Sequence, residues 1–218
     1  VQTCALPICQ MTLLLTFFFF VAVSVLIACA QTATTVPKFF QMKWKISTNS
    51  GKEDQNVVFN ITTSNAPLGA AQLYKLMTLN AGSYYNDNGF FRVVPNFVVQ
   101  FGINGVPSVA AKYENDKIKD DPVVLSNTRG TLTFADAGPN TRTTQLFVNY
   151  ADNAFLDKEG FTPIGTCVDG MNYFDNVYSG YGQSPSQQDI YLQGNPYLKS
   201  NFPKLDYILE TSIMNEEF

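Results

Sequence analysis

The sequence predicts an all-β domain, a closed eight-stranded antiparallel β-barrel capped by two α-helices. Three observations lead there. Eight short runs rich in β-branched and aromatic residues follow one another from residue 41 onward. Each is bounded by Gly, Pro, Asn or Asp, the residues that end strands and make turns. Two stretches alone carry a helical period instead. Closure into a barrel suits the even strand number, because it removes the exposed edges that short strands would otherwise leave. With 218 residues the chain suits one good-sized core rather than two.

Residues 1–10 precede Met11, and "VQTCALPI" reads as a translated sequencing adapter rather than gene product, so this stretch is set aside. Residues 11–30, "MTLLLTFFFFVAVSVLIACA", hold no charge and finish in small residues at Ala28 and Ala30. That is the apolar core and A-x-A exit of a secretory signal peptide, without the usual basic n-region. Cleavage after Ala30 is the first expectation, which would place the protein in the secretory pathway or outside the cell. Two alternatives stay open. One is an uncleaved membrane anchor over residues 12–29, close to the roughly 18 apolar residues that begin to suggest a span. The other is a bacterial lipoprotein in which "LIAC", 26–29, is a lipobox and Cys29 carries the lipid. Residues 31–41 form a linker, and the folded domain is expected over 42–218.

Within that domain the expected strands are, in order, "QMKWKIST", "NVVFNITT", "FFRVVP", "FVVQFG", "GTLTFA", "TQLFVNY", "FTPIGTCV" and "LDYILETSI". The "NIT" at Asn60–Thr62 has the form of a glycosylation acceptor but falls inside the second of these. Residues 65–80 place Leu68, Ala71, Leu73, Leu76, Met77 and Leu79 at helical intervals, with Asn65 and Pro67 as a start signal. Residues 169–182 repeat the pattern more weakly through Met171, Phe174, Val177 and Tyr178, with Gly180 as a stop. The polar stretches 103–122 and 179–204 read as loops carried outside the barrel.

Composition removes several classes of function. A net charge of −4 with no basic run argues against nucleic-acid binding. The chain has no histidine, which takes away the usual general base, the usual nucleophile activator and the commonest zinc ligand. No metal and no cofactor is expected. Of four cysteines, Cys4, Cys9 and Cys29 precede the domain, so Cys167 has no partner with which to staple it. Its neighbours supply no cation to activate a thiolate, and it reads as a small apolar strand residue.

The most informative stretch is "FFRVVPNFVVQFG", 90–102, where one arginine sits among aromatic and β-branched residues. Arg92 either snorkels from a strand edge into water or is kept there for a function. Together with "NTRGTLTFADAGPNTRTTQLFVN", 127–149, and "NAFLDKEGFTPIGTCVDGM", 153–171, it resembles the signature blocks of cyclophilin-type peptidyl-prolyl cis–trans isomerases, over roughly Val57 to Ile213. The resemblance implies a cyclophilin-like barrel and assigns Arg92 to the catalytic arginine. It places Phe97, Val98 and Gln100 on the next strand. Ala135, Asp136 and Ala137 fall on the segment that pairs with extended substrate, Gln145 on a polar site residue, and Phe147 on the floor of the proline pocket. Phe155 stands where tryptophan is frequent, Leu156 on a wall leucine and Phe161 where many relatives have histidine. Arg129 and Arg142 are expected to be surface or structural charges.

Four departures stand out: Phe91 in place of histidine, Val98 of methionine, Leu146 of phenylalanine and Asp136 of asparagine. The Asp136 carboxylate is expected near the guanidinium, to orient it or compete for it. Without an indole N–H at Phe155, binding of cyclosporin-type inhibitors is expected to be weak. The activity implied is rotation about X-Pro bonds of proline-containing polypeptides by a monomer, in exported or secretory-pathway proteins. The alternative is a catalytically weak module that grips proline-containing peptides. Either role needs no titrating base, so the missing histidine fits.

Overall fold

A computed structural model describes residues 35–79 and 82–218; the leader over 11–30, the stretch before it and the first linker residues lie outside the described residues. Strands β1 (Phe39–Thr48) and β2 (Glu53–Thr62) form a long antiparallel pair. Alternation sends Phe40, Met42, Trp44 and Ile46 of β1, and Val57, Phe59 and Ile61 of β2, into the core, all fully buried. Helix α1 (Pro67–Met77) follows, then β3 (Asn88–Gly89), β4 (Arg92–Val94), β5 (Val98–Phe101), α2 (Pro107–Tyr113), β6 (Thr131–Phe134) and β7 (Leu146–Asn149). After a 3₁₀ segment at Ala154–Glu159 come β8 (Pro163–Asp169), α3 (Met171–Phe174), α4 (Gln187–Gln193), α5 (Asn195–Asn201) and β9 (Tyr207–Glu217).

The nine strands make one antiparallel sheet in the order β3-β9-β1-β2-β8-β6-β7-β5-β4. It is a curled, open half-barrel, which corrects the expected closed barrel of eight. The eight expected strands are all present; the ninth, β3, is two residues long. The edges β3 and β4 are separated in sequence by Phe90 and Phe91 alone, and these rings are buried in different clusters, Phe90 in the main core and Phe91 in a second, smaller one. The chain is therefore drawn from one core to the other instead of folding back to pair the edges. Edge donors are met by loops: the Phe90 N–H donates to the Asp206 carbonyl at 3.0 Å and the Val93 N–H to that of Gly182 at 2.8 Å.

The second core comprises Phe91, Ile103, Ala110, Ile190, Leu198 and Leu205, and it is covered by α2, α4 and α5. These three helices occupy the two stretches expected to be loops. Each has seven residues, too short to display an apolar period. Their signals were local: Pro107 in the first turn of α2, and Ser186, whose hydroxyl accepts the Asp189 N–H at 3.3 Å at the start of α4. The expected second helix shrinks to the single turn of α3, because the Tyr178 N–H is taken by the buried Asp206 carboxylate at 2.8 Å.

Helix α1 is found as expected, but Asn65 does not cap it. A distant carboxylate does: Asp121 accepts the Leu68 and Gly69 N–H groups at 2.9 and 2.8 Å. Asp121 also meets Arg142 at 3.1 Å, and both side chains are 2% exposed. Arg142 is thus structural, tying the loop ahead of β7 to the start of α1. Arg129 is structural too, paired with Asp175 at 2.8 Å and donating to the Tyr150 carbonyl. Cys167 is a free thiol in β8, packed against the main core, and burial pushes its pKa up to about 11. Among the described residues no helix is long and apolar enough to cross a membrane.

Because a buried charge that loses its partner is costly, Asp121→Ala is expected to destabilise the fold by about 3 kcal/mol, the lower end of such losses since Asp120 remains 3.4 Å from Arg142. Chemical denaturation of the variant beside the parent protein measures it.

Candidate active site

The strands that build the site present two faces. Val93, Val99, Phe101, Leu132, Phe134, Leu146 and Val148 point into the main core. The intervening residues point the other way, and directly opposed residues on neighbouring strands share a face. Arg92 lies opposite Gln100, Gln100 opposite Phe147, and Phe147 opposite Thr133. One row across β4, β5 and β7 therefore carries a guanidinium, an amide and a phenyl ring, with Val98 beside them two residues before Gln100. Close approach of β5 to the start of β7 depends on Gly102, with φ of +103°; a Cβ there would clash with the Thr144 carbonyl oxygen.

The 3₁₀ segment roofs this face. Asn153 anchors its start by donating through Nδ2 to the Phe97 carbonyl at 3.0 Å and to Asn149 Oδ1 at 2.8 Å. Asp157 anchors its middle by accepting the Asn127 N–H at 2.8 Å and the Ser126 hydroxyl at 2.5 Å. Leu156 is thereby pressed onto Val98 and Phe147, an apolar cluster separate from both cores, with Phe97, Ala135 and Phe161 packed around it. Phe161 meets Phe147 edge to face, ring centroids 5.7 Å apart.

These side chains enclose a cavity of about 120 Å³, lined by Arg92, Phe97, Val98, Gln100, Ala135, Asp136, Phe147, Leu156 and Phe161. Drug-sized ligands fill roughly 300–1,000 Å³, so this space takes a single small ring. Every lining residue belongs to the set drawn from the sequence. Phe155 does not line it. Its ring is 54% exposed and stacks on Phe97 at 6.0 Å, which makes it a rim residue.

Arg92 stands at the boundary of this apolar space, half-buried. Its NH1 donates to Gln100 Oε1 at 3.1 Å, its Nε to Gln183 Oε1 at 3.4 Å, and its guanidinium carbon lies 5.6 Å from the Phe97 ring centroid. Gln100 Nε2 donates onward to Gln145 Oε1 at 2.8 Å. The Asp136 carboxylate, expected to engage Arg92, instead accepts the Gly138 N–H at 2.9 Å, and among the described residues no ion pair joins it to the guanidinium. The cause is local: an aspartate side chain readily bonds the backbone two residues on. Burial, the largest influence, pushes the Asp136 carboxyl above its ordinary range, against the Gly138 bond that favours ionisation.

A second cavity of about 410 Å³ adjoins the first, sharing Gln100, Ala135 and Asp136. Ala137 and Gln145 lie here, on the larger space. Its other walls, Glu114, Lys117, Thr141, Thr143 and Gln187, were missed in the sequence, because polar residues scattered over loops and the start of a short helix carry no period and no motif.

The residue pattern and the cavity coincide with a known family: the description "Cyclophilin type peptidyl-prolyl cis-trans isomerase/CLD" matches residues 43–193. The chain belongs to the cyclophilins. Among relatives of this cyclophilin, the peptidyl-prolyl cis-trans isomerase of Acinetobacter baylyi is 32% identical over 139 residues, 61% of this chain and 70% of the relative. The peptidyl-prolyl cis-trans isomerase B of Escherichia coli is 32% identical over 143 residues, 61% of this chain and 79% of the relative. A crystal structure of a cyclophilin type peptidyl-prolyl cis-trans isomerase from Cryptosporidium parvum matches with a TM-score of 0.56 at 22% identity, covering 81% of this chain and 99% of that one. At that identity the match speaks for the fold. The family's reaction, peptidyl-prolyl isomerisation, makes and breaks no bond, which agrees with a site holding one fixed cation and no histidine.

Two pH effects follow. The isomerisation rate of this cyclophilin is expected to stay nearly flat from about pH 6 to 8, where histidine would titrate. Stability carries the opposite signature at Asp136. A carboxyl pKa raised by folding means the native state holds the proton longer than the unfolded chain, so stability is lost as pH rises through that range. Asp136→Asn keeps the acceptor for Gly138 and is expected to raise the melting midpoint at pH 7, the gain vanishing in acid below the ordinary carboxylate value of 3.8. Thermal melts at both pH values check it.

Proposed function

We propose that this isomerase acts on exported polypeptides, with Arg92 as its catalytic residue and the 120 Å³ cavity as the seat of the proline ring. The observation that carries the reading is the guanidinium at the edge of an apolar pocket of single-ring size. Rotating an X-Pro bond takes the amide out of conjugation over a barrier of about 18–20 kcal/mol, and unassisted exchange takes roughly 10–100 s. As conjugation is lost the prolyl nitrogen becomes pyramidal and gains a lone pair. A guanidinium N–H aimed at that nitrogen stabilises the twisted state and not the planar ones, and such differential binding lowers the barrier.

Val98, Phe147, Leu156 and Phe161 grip the ring, while the backbone of Ala135–Ala137 receives the extended chain on its N-terminal side. Gln100 and Gln145 hold polar contacts, and Phe97 with Phe155 forms the apolar rim. Reaching millisecond exchange takes about four decades, or ~5.5 kcal/mol at about 1.36 per decade. A charge-assisted hydrogen bond in a partly dry pocket, added to the clamp on the ring, is of that order.

The export compartment is supported by the uncharged apolar segment over 11–30 with its small-residue exit, either cleaved or retained as an anchor. Mass spectrometry of the mature protein separates cleavage after Ala30, retention of residues 12–29 and lipid on Cys29. We assign a monomer as the working unit, and cyclosporin-type inhibitors as weak ligands because Phe155 offers no N–H donor.

The test of the reaction is cis–trans exchange of an Ala-Pro test peptide. Arg92→Ala is expected to lower the catalysed rate at least tenfold, about 1.4 kcal/mol of transition-state stabilisation. Full activity in that variant overturns the assignment of Arg92. Peptide affinity with no acceleration by the parent protein would identify a binding module instead.

A further inference from the structure

Arg92 is held from outside the row of strands that presents it. We propose that Gln183 and Gln187, on the segment between α3 and β9, are positioning residues that fix the plane of its guanidinium; this rests on Arg92 being the catalytic donor. The segment is stitched to the strand that carries Arg92, since Gly182 accepts the Val93 N–H at 2.8 Å. That bond puts the next residue, Gln183, beside the side chain of Arg92, where its Oε1 takes the Nε–H at 3.4 Å. Gln187 opens α4, whose start is set by the Ser186 cap and whose Ile190 is fully buried in the second core. From that anchored turn its Oε1 accepts Gln145 Nε2 at 3.0 Å.

The hydrogen bonds run in one direction: Arg92 donates to Gln100, Gln100 to Gln145, and Gln145 to Gln187. A guanidinium only donates, whereas an amide that turns over exchanges its donor and acceptor ends. Arg92 dictates the orientation of Gln100 and, through it, of Gln145, whose Nε2 is then met by the Gln187 oxygen. The Tyr191 hydroxyl, 3.4 Å from the same Gln145 nitrogen, supports that orientation. Both ends of the chain of amides thus return to a five-residue stretch, Gln183 to Gln187, which grips the guanidinium at Nε directly and at NH1 through two intermediaries. NH2 and the second NH1 proton are left for substrate. A long arginine stem otherwise samples many rotamers, and a donor placed beforehand saves that ordering at the transition state.

The test uses the full chain with Gln183→Ala, Gln187→Ala and the double variant. Both side chains are solvent-exposed, so the melting midpoint is expected to stay unchanged. Each single variant is expected to lower kcat for the Ala-Pro peptide about fivefold with KM within about twofold, the scale of one ordinary intramolecular hydrogen bond. In ¹⁵N NMR the Arg92 Nε–H is expected to exchange with water faster in Gln183→Ala. In Gln183→Glu, whose carboxylate can accept the same Nε–H, that protection is expected to return at pH 7. Unchanged kcat with an unchanged Nε–H exchange rate overturns the proposal. So does a loss of kcat that merely follows a lowered melting midpoint. If the parent protein fails to accelerate exchange, or Arg92→Ala is fully active, the assigned reaction fails, while the Nε–H exchange rates still decide whether Gln183 holds the guanidinium.

Discussion

The structure is governed by the chain passing from one edge of a nine-stranded sheet to the other within two residues. That passage requires the sheet to curl until β3 and β4 are neighbours, and it assigns the two rings involved to opposite sides, Phe90 to the main core and Phe91 to the smaller one. Once the sheet is curled, each strand has an enclosed face and an outward face. The enclosed faces make the main core. The outward face of β4, β5 and β7 is left free of it and becomes the floor of the site. Arg92 is the first residue of β4, immediately after the corner, where the edge is open on one side and a loop can reach its side chain.

Two kinds of charged group are taken out of water in this fold, and their surroundings differ. Arg142 with Asp121, and Asp206 with the N–H groups of Gly51 and Tyr178, are enclosed and matched by groups of the protein itself. They fix loops and helix ends, and nothing enters their surroundings. Arg92 is half-buried, its carbon skeleton sheltered by Phe97, and its partners are neutral amides. A carboxylate partner would have neutralised the charge at the point where it is needed; Asp136, the carboxylate that the resemblance places near it, is occupied by the Gly138 N–H. The difference separates a structural arginine from one kept available.

The strands were legible because each is long or regular enough for alternation to show, as in the buried Phe40, Met42, Trp44 and Ile46. Helix α1 was legible for the same reason at its own period. Closure was not, since hydrogen bonding between edges depends on where Phe90 and Phe91 find room, and a local pattern carries no such information. The wall of the small cavity was legible through family resemblance, residue by residue. Phe155 and Asp136 show the limit of that transfer: the resemblance located their backbones, while a stacking partner at Phe97 and a turn donor at Gly138 decided where the side chains went. Gln183 and Gln187 were invisible, being ordinary polar residues whose importance comes from a bond made by the backbone at Gly182.

The pairing of β1 with β9 bears on how the protein is made. Phe39 is matched to Glu217, and β9 lies inside the sheet between β1 and β3. A ribosome delivers β1 early and β9 late, so the nascent chain carries a half-finished sheet with an unfilled slot for most of its synthesis. Contacts of such long sequence separation form slowly, and exposed strand edges in the meantime invite association with other chains. This fold is consequently one whose maturation leaves strand edges unpaired until β9 is in place.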